Sequence, residues 1–224
     1  MAYHIFIQAP LGQGKTFLMS LLAHYWKKKV EDRGGKIELF SNYELADSKP
    51  INHYTDWYEV AEAQGSICCW DECQMAFSNR KWSRHGSTIA TEVMMFTRKM
   101  KSVQMYCSPS ISNVDSRIRQ IVEVLVDVRQ IPKRGFSIRF SDYQTGEMLN
   151  KTFLPMSKAQ KFFDLELYDT HQMVKGFPLP QTERESDKFF DTLEEIHDRA
   201  RGKRKKQTII LDKNDGINVK EGAM

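Results

Sequence analysis

Residues 6–26 read FIQAPLGQGKTFLMSLLAHYW, and the reading of this stretch decides the fold. A short apolar run ending at Gln8 breaks into a turn containing Gly12 and Gly14, meets Lys15 and Thr16, and resumes with Phe17, Leu18, Leu21, Leu22, Tyr25 and Trp26 at helical spacing. This predicts a buried strand over Tyr3–Gln8 and a helix from Lys15 to about Lys28. Lys27, Lys28 and Lys29 then sit where the negative end of the helix dipole favours cations.

The turn itself, residues 9–16 (APLGQGKT), meets the phosphate-loop pattern G-x-x-x-x-G-K-[ST] at every defined position except the first, where Ala9 replaces glycine. That chemistry needs backbone N–H groups turned inward on an anion, followed directly by a helix N-terminus facing it. Gly12 and Gly14 let the backbone approach, Lys15 reaches the β and γ phosphates, and the Thr16 hydroxyl ligates magnesium. Ala9, Pro10, Leu11, Gln13 and Phe17 complete the nucleotide-binding run, and the expected cofactors are ATP and Mg2+. The plain alternative is a glycine turn that happens to precede a helix; the position at a strand-to-helix junction argues for the phosphate loop.

A phosphate loop needs an acidic partner at the end of a neighbouring apolar strand. Residues 65–72, GSICCWDE, supply one: Asp71 to hold magnesium through water, and Glu72 to orient or deprotonate the attacking water. A strand-end Asp alone says little, since turns favour Asp. The adjacent glutamate points to hydrolysis, which a nucleotide switch or a small-molecule kinase does not require.

Length and composition fit one substantial core. The chain has 224 residues, of which 41% are hydrophobic and 28% charged, with a net charge of +4. No apolar run approaches the ~18 residues of a membrane helix, and the first residues do not form a charged-then-apolar leader, so a soluble, unsecreted protein is expected. Cys68, Cys69, Cys73 and Cys107 lack paired CxxC knuckles and read as small buried hydrophobes rather than zinc ligands. The six histidines show no metal-ligand spacing.

Further along, KIELFSN ending at Asn42, SVQMYCS and IVEVLVDVRQ read as strands, with a helix over Thr88–Lys101 between the apolar acidic-ended strand and SVQMYCS. Strands alternating with helices imply an α/β fold with a mostly parallel sheet. FSIRFSDYQTGEMLNKTFL alternates on both sides of QTGE and predicts an antiparallel hairpin extending or capping that sheet, followed by a short helix from Ser157 to about Leu167. An ATPase domain is expected over residues 1–180. Residues 181–224, with ten basic and ten acidic residues, read as a charged peripheral helix and tail.

The order APLGQGKT, FSN, ICCWDECQMAF, TRKMKSVQMY, NVDSRIRQIVEVLVDV and KFFDLELYDT resembles the zonula occludens toxin-like group of P-loop ATPases within the FtsK-HerA superfamily. That superfamily also holds the DNA-packaging ATPases of membrane-containing icosahedral viruses of the tectivirus type. The resemblance covers roughly residues 1–175. It implies a RecA-like (ASCE) core that assembles as a ring, usually hexameric, and moves DNA or a virion component by ATP hydrolysis. Members often carry a Thr-Gln pair at the end of the fourth strand; MYCSPS puts Cys107 and Ser108 there, leaving Ser108 as the candidate to touch phosphate, with Gln104 inside the strand.

A ring ATPase also needs a cation delivered across the subunit boundary. Arg119 and Arg117 in DSRIRQ are the first candidates and Arg98 the reserve, although DSRIRQ also reads as a helix capped by Asp115. Arg80, Lys81 and Arg84 in SNRKWSRHG, with Trp82 between them, are the candidate nucleic-acid contacts; a basic exposed loop with a packed Trp82 is the alternative. The expected function is a genome-packaging ATPase that translocates viral double-stranded DNA into a preformed capsid, with capsid or packaging-vertex proteins as partners. The alternatives are an ATPase for virion assembly or extrusion at a membrane, and a small-molecule kinase or nucleotide switch.

Overall fold

The computed structural model describes residues 3–76, 84–169, 174, 178–180, 182–201, 207–212 and 216–221, with backbone only for 76, 84–91, 207–212 and 216–221. In chain order the elements are β1 (His4–Gln8), α1 (Lys15–Glu31), β2 (Glu38–Ser41), β3 (Ser48–Pro50), α2 (Asp56–Ala63), β4 (Ser66–Trp70), α3 (Cys73–Ala76), α4 (Arg84–Lys99) and β5 (Ser102–Ser108). After a 3-10 turn at Ile111–Asn113 come α5 (Ser116–Ile121), β6 (Val124–Ile131), β7 (Gly135–Asp142), β8 (Met148–Pro155), α6 (Met156–Phe163), α7 (Glu183–Arg201), β9 (Gln207–Asp212) and β10 (Gly216–Glu221).

Eight strands form one sheet in the order β3-β2-β4-β5-β1-β6-β7-β8. The six strands from β3 to β6 run parallel, whereas β7 and β8 add on antiparallel. The expected hairpin thus extends the sheet. β5 lies between β1, which leads into the phosphate loop, and β4, which ends at the acidic pair. This is the arrangement of a RecA-like P-loop fold.

The central strands β1, β4 and β5 are buried almost along their whole length because both sheet faces are covered there. Ile5, Ile7, Leu39, Ile67, Cys69, Met105 and Val126 pack on one face against Phe17, Leu18, Met19 and Ala23 of α1. On the other, Phe6, Phe40, Cys68, Trp70 and Tyr106 meet α2, α4 and α7 through Trp57, Val60, Val93, Met94, Phe189 and Leu193. Cys68 and Cys69 therefore sit back to back on opposite faces; all four cysteines are free and buried, and burial pushes the Cys68 thiol up to about 11.

α7 differs from the peripheral helix expected. Phe189 and Leu193 lie in the core, 1% and 2% exposed, because Phe189, Phe190, Leu193 and Ile196 form a stripe that the high charge of this segment hides from a composition-based reading. Where a tail was expected, β9 and β10 pair as a separate antiparallel ribbon.

Candidate nucleotide site

The loop after β1 turns on two left-handed glycines, Gly12 (φ 71°) and Gly14 (φ 85°), which an L side chain would strain. Gly14 caps α1, so the helix N-terminus opens directly onto the loop. Lys15, only 6% exposed, lies along the loop and donates from Nζ to the Pro10 carbonyl at 3.2 Å. The next side chain, Thr16, donates from Oγ1 to Asp71 Oδ2 at 2.9 Å. The spacing of these two motifs in sequence is thus closed into one contact.

Asp71 follows β4 directly and is 8% exposed. Burial raises its carboxyl above the ordinary carboxylate range, partly offset by the Thr16 hydroxyl and the Glu72 N–H, which donates to Oδ1 at 2.9 Å. Asn42, at the end of β2, grips the backbone of the same residue: Asp71 N–H donates to Asn42 Oδ1 at 2.8 Å, and Asn42 Nδ2 donates to the Asp71 carbonyl at 3.1 Å. Glu72 takes a left-handed backbone, φ 45°, and its Oε2 accepts a hydrogen bond from Gln74 Nε2. Such a conformation in a non-glycine residue is a stored constraint that aims the side chain out of the strand line.

These groups line a cavity of about 300 Å³ with Gly12, Gly14, Lys15, Thr16, Asp71 and Glu72 on its floor. Phe136, Tyr43, Tyr168, Phe163 and Gln130 of its wall were not singled out by sequence reasoning. Phe136 of β7 stands over Gly14 and packs with Phe17 (centroids 5.4 Å apart) and Phe163 (6.4 Å). Tyr43 and Tyr168 meet edge to face at 6.5 Å, with the Tyr43 hydroxyl 3.0 Å from Ser20 Oγ. Gln13 Oε1 accepts from the Gln130 N–H at 3.0 Å and ties the loop to β6. The convergence of a hydroxyl and a buried carboxylate oxygen on one point, beside a lysine and the N-terminus of α1, fits a hard divalent cation with a nucleotide phosphate.

The other expected residues fall elsewhere. Ser108 ends β5 but is buried, and its hydroxyl donates to the Ser110 carbonyl at 3.2 Å; it does not line the cavity. Gln104 is buried in the opposite-face core, accepting from Trp70 Nε1 at 2.8 Å and donating to Ser102 Oγ at 2.8 Å. Arg98 lies in the last turn of α4, over the Tyr3 ring at 5.8 Å and near the strand ends remote from the loop. Arg117 and Arg119 ride on α5, which Asp115 caps by accepting from the Arg117 N–H at 2.8 Å, as its sequence suggested. No described arginine lines the phosphate cavity. Arg80 and Lys81 lie outside the described residues, as does the side chain of Arg84.

Fold and site together define a P-loop NTPase fold. The chain belongs to the zonular occludens toxin (Zot) family, whose model matches residues 22–164. That match begins after the phosphate loop, so the loop is identified by its own sequence and geometry. Among solved structures, the N-terminal domain of zonular occludens toxin from Neisseria meningitidis is 16% identical, with a TM-score of 0.52 over 75% of this chain and 100% of that one. The genome packaging NTPase of Sulfolobus turreted icosahedral virus 2, in complex with ATP-gammaS, is 8% identical, with a TM-score of 0.48 over 68% of this chain and 97% of that one. No curated protein sequence matches the chain.

Proposed function

We propose that the protein is an ATP-hydrolysing ring motor that translocates viral double-stranded DNA into a preformed capsid. The observation that carries the hydrolytic half is the Thr16–Asp71 hydrogen bond, which sets a metal-binding hydroxyl and carboxylate together with Glu72 beside them. In this reading the loop N–H groups and the α1 N-terminus bind the phosphates, and Lys15 exchanges the Pro10 carbonyl for phosphate oxygens. Thr16 and Asp71 hold magnesium, which when bound neutralises phosphate charge. Glu72 leaves Gln74, orients a water molecule and takes its proton. A second reading, favoured by the family match, is an ATPase for virion assembly or extrusion at a membrane.

Lys15→Ala should remove ATP hydrolysis with an unchanged circular dichroism spectrum. Glu72→Gln should still bind magnesium-ATP but hydrolyse it at least ~100-fold more slowly, within the range for loss of a general base. Near wild-type turnover in the first variant, or lost nucleotide binding in the second, overturns the site assignment. Stimulation of hydrolysis by DNA supports translocation, whereas recovery with a membrane pore and no DNA response supports extrusion.

A further inference from the structure

A second cavity, of about 600 Å³, lies on the other side of the phosphate loop. Pro10, Gln13 and Ser110 form its loop side, and Arg129, Arg139 and Lys151 rise from the sheet. These cations share one face by register: Asp127 pairs with Arg139 across β6–β7, Arg139 with Lys151 across β7–β8, and Arg129 lies two residues beyond Asp127. Arg139 donates to Asp127 Oδ2 at 2.7 Å, the one carboxylate in the cavity wall, while Arg129 and Lys151 are exposed and have no ion-pair partner among the described residues. Phe153, aligned with Ser137 on the same face, is 44% exposed.

Like charges gathered round a concavity with a single counter-charge repel one another unless an anion joins them. The cations are spread over the surface, about 4.8 Å between neighbouring strands and about 6.8 Å between same-face residues along one strand. A small anion would need converging, buried donors; an extended chain of phosphates meets spread, exposed ones. An exposed aromatic ring among the cations supplies a stacking face for a base. We infer that this face of β6–β8 binds the phosphodiester backbone of a nucleic-acid strand through Arg129, Arg139 and Lys151, with Phe153 stacking on a base.

The site is wired to the nucleotide loop. Asp127 Oδ1 accepts from Gln8 Nε2 at 2.9 Å, and Gln8 Oε1 accepts from the Ile111 N–H at 3.0 Å. Gln8 is the last residue before the phosphate loop. A phosphate that draws Arg139 from Asp127 alters the hydrogen-bonded pair on which Gln8 rests, so strand binding and hydrolysis share one chain of contacts. The inference rests on the reading of the protein as a nucleic-acid motor: the cations meet the backbone of duplex or single strand alike, and the Phe153 stacking contact applies only where a base is unpaired.

The test uses the full chain and short labelled oligonucleotides, single-stranded and duplex, with binding read by fluorescence anisotropy across a salt series and ATP hydrolysis read separately. Arg129→Glu/Lys151→Glu should weaken binding at least ~10-fold and reduce the salt slope by about 1.4, or ~0.7 for each lost phosphate contact on a single strand. Phe153→Ala should weaken the single strand by about 10-fold and leave the duplex nearly unchanged. Lys28→Glu/Lys29→Glu, the same charge change on α1, should alter neither. Wild-type binding that is unchanged in the β6–β8 variants overturns this site and leaves the motor reading standing. Absence of wild-type binding at every salt concentration, with hydrolysis intact, overturns both this site and the nucleic-acid part of that reading. Loss of self-association with unchanged binding per subunit makes the face a copy-to-copy interface and overturns the inference.

Discussion

Asn42 shows how a single side chain prepares the site. Its amide satisfies both the N–H and the C=O of Asp71, at 2.8 and 3.1 Å, at the point where β4 stops and Glu72 swings into a left-handed conformation. Asn42→Leu keeps the bulk but leaves two buried backbone groups unpaired, each costing about 1–3 kcal/mol. Urea denaturation should therefore show a loss of at least about 2 kcal/mol, and hydrolysis should fall more than nucleotide affinity, because Lys15 and the glycine loop stand apart from this clamp. A variant with unchanged stability and turnover would mean the backbone groups find other partners. At this scale the sequence was legible wherever chemistry demands a residue type: Lys15, Thr16, Asp71 and Glu72 converge as their spacing implied. Asn42 was visible at the end of FSN, yet nothing in a one-dimensional reading says that its amide crosses to the next strand. Ser108 shows the converse, since a strand-end position places the residue but not its hydroxyl, which donates to Ser110.

Between elements, the antiparallel extension acts as a clamp on the loop. A Cβ added at Gly14 would come within 2.7 Å of Phe136 Cε1, and Phe136 is itself held between Phe17 and Phe163. Gly14→Ala thus meets two separate costs: the collision with a ring that has little room to retreat, and a positive φ worth about 1–2 kcal/mol for an L residue. Combining it with Phe136→Leu should recover the steric part and leave the backbone part. Full recovery of nucleotide binding and stability in the double variant would show that the left-handed turn carries no cost here; no recovery would place the clamp elsewhere. β1, β4 and β5 were readable because two-sided burial makes them largely apolar, and the β7–β8 hairpin because its residues alternate about a turn. α2 and β3 were not: α2 buries only Trp57, Val60 and Ala61 in eight residues, and β3 is three residues long with two exposed. Short elements draw their stability from tertiary contacts rather than from a pattern long enough to recognise.

For the whole molecule, the decisive feature is what the phosphate cavity lacks. Its lining includes Lys15 but no arginine among the described residues, while Arg98, Arg117 and Arg119 lie on α4 and α5, away from their own loop. Arg117 is exposed, and Arg119 is half-buried with its Nε–H unpaired. In the proposed ring, an arginine delivered by a neighbouring subunit would add its charge to those of Lys15 and magnesium, a contribution worth roughly 10³-fold or more in rate. Hydrolysis should then depend on assembly and rise with protein concentration. Mixing Glu72→Gln with Arg119→Ala, each inactive alone, creates some interfaces with an intact glutamate on one side and an intact arginine on the other, so activity should reappear. The same mixture with Arg117→Ala or Arg98→Ala identifies which arginine crosses the boundary. Lys15→Ala mixed with Glu72→Gln is the control: both lesions lie in the same cleft, no interface contains a complete set, and activity should stay absent. Failure of all three arginine mixtures, together with turnover per subunit that is constant down to concentrations where sedimentation shows only monomer, would make each chain a self-sufficient hydrolase and remove the physical reason for a ring.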